Sequence, residues 1–185
     1  ADVLTLLGAN AIAVSAVETV LGATGGTDVV TMLGGGSLAV STVDTVRGST
    51  GTDTVTMLGS GTLTVDIVER VIGTTGAGDV LNVLTAATVS VSGVETVLGS
   101  TGRDAAVFMG ATTTLSVSNV ETVVGGTGTG DVAQMLSGGA VSLSAIESVL
   151  GTTAAGDVAQ MMSAGTLSVS NIETVMGTTG TGDIV

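Results

Sequence analysis

A unit of about 26 residues recurs along this chain, and the recurrence limits its possible folds more than any other feature. The unit reads roughly V-E-T-V-L-G-x-T-G-x-G-D-V-x-x-M-L-x-x-G-x-L-x-V-S-x. It begins at Val17, Val43, Val68, Val94, Val120, Ile146 and Ile172, so the interval is constant to within one position. Self-similarity at this period signals a solenoid, propeller or array whose units pack only on their neighbours. Residues 1–185 therefore read as a single repeat array. The chain opens in mid-unit at Ala1-Asp2-Val3 and closes in the same phase at Asp183-Ile184-Val185, which we read as part of a longer chain or filament.

Helix is disfavoured inside the unit, because glycines and β-branched residues are frequent and no 3.6-residue period appears. Pro, Cys, His, Trp, Tyr and Lys are absent and Phe108 is the only aromatic residue, so an aromatic-rich globular core is excluded. Three apolar segments remain per unit. In the first, such as Asp28-Val29-Val30-Thr31-Met32-Leu33, the second and fourth residues after Asp are always apolar. The fourth-position column is Leu6, Met32, Met57, Val83, Phe108, Met135 and Met161, read as core filler. The second segment, Leu38-Ala39-Val40-Ser41, gives an inward column of Ile12, Leu38, Leu63, Val89, Leu115, Val141 and Leu167. The third, Val17-Glu18-Thr19-Val20-Leu21, alternates imperfectly, which predicts a corner or bulge within it.

Short strands at this spacing predict an all-β parallel β-solenoid, with about seven rungs of one unit each. Each strand pairs with its copy in the next unit, and at ~4.8 Å per rung the stack spans about 34 Å. A propeller blade of four strands takes roughly 40–50 residues, so the unit is too short for one. Residues one and five after each Asp are also largely apolar (Val29 and Leu33; Val132 and Leu136; Val158 and Met162). They imply either a second core around the corner or burial against another chain.

The acids carry most of the chemistry. Asp2, Asp28, Asp53, Asp79, Asp104, Asp131, Asp157 and Asp183 form one column, and Glu18, Asp44, Glu69, Glu95, Glu121, Glu147 and Glu173 form another. In-register stacking would set like charges about 5 Å apart, a repulsion of about 1 kcal/mol per pair even in a water-like dielectric. Arg47, Arg70 and Arg103 cannot neutralise a net charge of −13. Calcium could, since it takes six to eight oxygen ligands from carboxylates and turn carbonyls. Softer metals are disfavoured without Cys or His. The Asp column from Asp28 onward is the primary candidate ligand set, and Asp2 with the Glu column the secondary one. A turn Asp can equally just accept backbone amides.

The turn Gly48-Ser49-Thr50-Gly51-Thr52-Asp53-Thr54-Val55 resembles the RTX calcium-binding nonapeptide G-G-x-G-x-D-x-U-x, as does Gly99-Ser100-Thr101-Gly102-Arg103-Asp104. Gly125-Gly126-Thr127-Gly128 matches its opening glycines. Most units carry one extra residue before the Asp, as in Gly73-Thr74-Thr75-Gly76-Ala77-Gly78-Asp79, and the second glycine is usually Ser, Thr or Ala. The resemblance implies a parallel β-roll with calcium between turns, in an exported bacterial surface protein.

Nucleic acid and anionic membranes are disfavoured as partners by the acidity, and no apolar run approaches the ~20 residues of a membrane helix. The usual catalytic bases and nucleophiles are missing, and the carboxylates recur identically in every unit, so no enzyme is expected. The expected function is an extracellular structural component (surface layer, sheath, filament or matrix) that self-associates end to end and laterally. The alternative is an adhesin extender or an ice- or glycan-binding module presenting rows of Thr24 and its equivalents. Cross-β-like assembly is a third possibility.

Overall fold

The computed structural model describes residues 1–110 and 114–185. Among these residues the chain forms 21 short strands and no helix. They begin β1 (Val3–Thr5), β2 (Ala11–Val14), β3 (Thr19–Leu21), β4 (Val29–Met32), β5 (Gly36–Ser41) and β6 (Thr45–Arg47). The series continues through β7 (Asp53–Met57), β8 (Thr62–Asp66), β9 (Arg70–Ile72) and β10 (Val80–Val83) to β21 (Thr174–Met176). Odd-numbered strands make an 11-stranded sheet and even-numbered strands a 10-stranded one. Each strand pairs in parallel with the strand two ahead, as Val3 with Thr19 and Val29 with Thr45. The architecture is a parallel β-solenoid of about 10 turns, with two strands per turn.

The fold class is as expected, but the stack is not seven rungs of one unit each. One turn runs from Val3 to its partner Thr19, the next from Thr19 to Ala39 and the next from Ala39 to Thr56, a spacing close to 18. Each of the three apolar segments becomes a strand, while a turn holds two. One sequence unit is therefore one and a half turns. A strand's copy in the next unit lies in the opposite sheet, so β1 after Asp2 and β4 after Asp28 belong to facing sheets instead of pairing. Within one sheet the three kinds of strand follow in rotation: β1 from the Asp segment, β3 from V-E-T-V, β5 from S-L-A-V-S, then β7 from the next Asp segment. At ~4.8 Å per turn the stack spans about 48 Å.

The core is the thin space between the sheets. Val20, Val30, Val46, Val55, Val71 and Leu81 meet there, each fully buried, together with Leu38, Leu63 and Leu115 from the predicted inward column. The Met column is core as expected. The second residue after Asp shrinks to Ala106, Ala133 and Ala159 in three units and stays fully buried there.

The corner expected inside V-E-T-V is present, just ahead of the first valine. Ala16, Thr42, Ile67, Gly93, Asn119, Ala145 and Asn171 all take left-handed backbone, with φ between 52 and 63°. That one residue reverses the chain, burying Val43, Val68, Val94 and Val120 and turning the following acid toward the edge. The fifth residue after Asp forms no second core: Leu7 is 96% exposed, Leu33 65% and Leu58 53%. Alternation places it outward, at the start of a corner.

The frame predicts different outcomes for two deletions. Removing one unit, residues 68–93, keeps the strand rotation and leaves a cooperatively folding, shorter solenoid. Removing one turn, residues 53–69, brings mismatched corners together and abolishes cooperative urea unfolding monitored by circular dichroism. Equal tolerance of both deletions would contradict the one-and-a-half-turn frame.

Candidate functional site

Three kinds of corner join the strands, and because three does not divide evenly into two, each kind appears on both edges of the solenoid. On one edge they stack as a Leu corner at 58–61, an Asp corner at 73–79 and a Glu corner at 93–95. Asp79 sits at the middle of this stack, fully buried. Its Oδ1 accepts the Gly61 amide of the corner below, at 3.1 Å. Its Oδ2 accepts the Thr74 amide of its own corner at 2.6 Å and the Thr74 hydroxyl at 2.8 Å. Its own amide donates to Glu95 Oε2 in the corner above, at 2.8 Å, and its carbonyl accepts the amides of Glu95 and Thr96. One Asp thus ties three consecutive turns.

The arrangement repeats on both edges. Asp28 takes the amides of Asn10 and Ala23, Asp53 those of Gly36 and Ser49, Asp104 those of Ala87 and Ser100, and Asp157 those of Gly139 and Thr152. Asp131 accepts Gly126 and Asp183 accepts Thr178. The second column works as its partner. Glu18, Asp44, Glu69, Glu95, Glu121, Glu147 and Glu173 accept the amides of Asp2, Asp28, Asp53, Asp79, Asp104, Asp131 and Asp157 in turn.

The two ladders are therefore not stacked one rung apart. Asp2, Asp53, Asp104 and Asp157 lie on one edge and Asp28, Asp79, Asp131 and Asp183 on the other. Neighbours on an edge are three turns apart, about 14 Å. At that separation like charges repel by only about 0.3 kcal/mol in water, and salt at about 0.1 M screens most of it. The close acids, Asp and Glu of adjacent turns, have a backbone amide between them. Amide donors hold the Asp157 carboxyl below its ordinary value of 3.8: the Thr152 amide first, then its hydroxyl and the Gly139 amide, all against the opposing effect of burial. Glu18 is likewise lowered, chiefly by the Asp2 amide.

The Asp oxygens are taken up by backbone donors. Both oxygens of Asp28, Asp53, Asp79, Asp104 and Asp157 face N–H hydrogens, which repel a cation. Among the described residues, no three acids gather where an ion could sit. Each second-column acid gives one oxygen to an amide, leaving a single carboxylate oxygen per corner for solvent. Thr24, Thr50, Thr75, Thr101, Thr127, Thr153 and Thr179 are exposed at the tips of the Asp corners. They alternate edges in the same way, so same-edge threonines are about 14 Å apart.

Two determinants escape a reading of the turn alone. One is the hydroxyl after the strict glycine. Ser49, Thr74, Ser100, Thr152 and Thr178 each donate to the Asp of their corner while accepting the amide two residues on. Its sequence signal is Ser or Thr in the place of a second glycine. The other is why the preceding glycine is strict. The reason is close approach, not positive φ: a Cβ on Gly99 would lie 1.9 Å from the Asn119 carbonyl oxygen and 2.9 Å from Asp104 Oδ2. Gly73 meets the Gly93 carbonyl, and Gly125 that of Ala145, in the same way. The left-handed residue of each Glu corner aims its carbonyl at this glycine. Positive φ is instead used at Gly78, Gly130, Gly156 and Gly182, which absorb the extra residue of the longer Asp corners.

No family model matches the chain, and neither a curated protein nor a solved structure matches it.

Gly99→Ala should cost more than about 3 kcal/mol in chemical denaturation, since backbone must shift. Gly59→Ala, with only Ser41 Oγ nearby at 4.0 Å, should stay within about 0.5 kcal/mol. Acid should also unfold the corners. A carboxyl whose folded pKa is depressed stabilises fully above its unfolded value and loses that contribution as pH falls through the folded value. For Asp157 the unfolded value is 3.8. The thermal midpoint should hold from pH 7 to about 5 and drop below about 4, with the drop reduced in Asp157→Asn.

Proposed function

We propose that this chain is a structural element, a straight β-solenoid segment of an exported bacterial surface or matrix assembly, with no reaction of its own. What supports the reading most is the use of the acids. Each Glu-column residue, and each Asp from Asp28 onward, is committed to backbone amides of its own or a neighbouring turn. Catalysis needs a singular group of side chains with divergent environments. Here the Asp–amide and Glu–amide links recur from unit to unit in the same roles.

Such a rod derives its length from repetition and its rigidity from corner links along both edges. Nearest-neighbour stacking makes each added unit extend the same structure. Acidic corners keep such an array soluble.

Electron microscopy of tandem fusions tests this reading. Rods should lengthen by about 7 Å per added unit and stay straight. Chelator should leave the melting temperature unchanged, because amide hydrogens already occupy the carboxylates. Collapsed or flexible particles would contradict the spacer role, and a melting temperature that rises with calcium would show that an ion joins the corners.

A further inference from the structure

The strand pairing drifts along the stack. Val3, one residue after Asp2, pairs with Thr19, Thr19 with Ala39, and Ala39 with Thr56, which lies three residues after Asp53. The facing sheet does the same from Val29 through Thr45 and Thr64 to Asn82, three residues after Asp79. Thr54 leads in this way to Val107, Val80 to Gln134 and Ala105 to Gln160, each again three residues after its Asp. Successive Asp segments of a sheet thus slip back by two residues every three turns. The slip is the same at the short Asp corner of Asp104 and the longer ones of Asp79 and Asp157, so corner length does not set it. An even slip keeps every inward side chain inward, whereas an odd one would turn the core out.

A slip of two residues is about 6.6 Å, or about 2.2 Å per turn. The strands of the two sheets run in opposite directions, so in space one sheet slides left where the other slides right. Two layers sliding oppositely rotate the cross-section about the long axis. With the sheets about 10 Å apart, each lies about 5 Å from that axis, and the rotation is about 25° per turn. Neighbouring strands adopt a twist of about 20–25° unforced. One full rotation takes about 14 turns, or about 70 Å of rod.

We infer that this segment works as a single twisted rod and not as a tile of a flat layer, which narrows the structural reading on which the inference rests. Leu33, Leu84 and Leu136 open corners of one edge, three turns apart, and are 65, 50 and 49% exposed. The twist turns each from the last by about 75°, so they point to different sides of the rod. They are solitary apolar points, which a protein surface carries without needing a partner. Thr24, Thr75 and Thr127, at the tips of Asp corners on one edge, fan out in the same way. No row of side chains stays on one plane, so a flat partner, whether an ice face or a planar lattice of copies, meets only a few corners. The acids wind with the edges, and a net charge of −13 spread around the circumference keeps neighbouring rods apart.

Distances between pairs of nitroxide labels, read by double electron–electron resonance, test the twist. The chain has no cysteine of its own, and the label sites are exposed. Leu33→Cys with Leu136→Cys spans four units on one edge. Leu33→Cys with Met162→Cys spans five units and crosses to the other edge. With labels about 15 Å from the axis, an untwisted stack sets the first pair about 29 Å apart and the second about 47 Å. The twisted rod gives about 41 Å and about 36 Å, so the pair nearer in sequence is the farther in space. Leu7→Cys with Leu136→Cys, again five units apart, should repeat about 36 Å. Circular dichroism and the urea midpoint should match wild type, since only exposed side chains are exchanged. Distances of about 29 and about 47 Å would overturn the inference while leaving the rod of stacked units standing, because rods lengthen with each added unit whether or not they twist.

Discussion

The bond on which the structure depends is the one between a buried Asp carboxylate and backbone amides of two successive corners. Parallel strands on a thin core satisfy their own amides, but corners leave N–H groups pointing inward with nothing to accept them. A buried unpaired donor costs about 1–3 kcal/mol. One carboxylate placed at the middle of three stacked corners answers several at once, and hydrogen bonds to an ionised acceptor are stronger than neutral ones. Asp79 does this for Gly61 and Thr74, then offers its own amide to Glu95.

The geometry of that stack explains the odd relation between unit and turn. A Leu corner, an Asp corner and a Glu corner must lie on consecutive turns of one edge for the links to close. Three corner kinds distributed over two edges give one and a half turns per unit. The strict glycine follows from the same stack, since the left-handed residue of the Glu corner brings its carbonyl to within 1.9 Å of where the Gly99 Cβ would be. Ile67 and Thr42 take the same left-handed backbone although it is disfavoured for β-branched residues, and their carbonyls meet Gly48 and Gly22.

Much of this was legible in the columns. Alternation in Asp28-Val29-Val30-Thr31-Met32 marked the inward face, and Leu38, Leu63 and Leu115 are where it placed them. Strand pairing was not legible, because a period counts residues per unit and says nothing about strands per turn. Assuming one turn per unit set the acids one rung apart and called for a neutralising cation. With alternate edges, like charges are three turns apart and backbone dipoles supply the counterpart. The Ser49 and Thr74 hydroxyls looked like departures from a glycine motif, yet they are part of the Asp cradle. Leu33 and Leu58 continue the outward side of the alternation, and their apolar character left burial against a second core or another chain open until the structure showed them exposed.

Amide hydrogen exchange tests the central claim most directly. If carboxylate links hold the corners, the amides of Gly61, Thr74 and Asp79 exchange as slowly as that of Leu81 in the adjoining strand, and all are released together when the turn opens. Rapid exchange at Gly61, Thr74 and Asp79 beside a protected Leu81 would show that the sheets hold the solenoid and the acid corners do not.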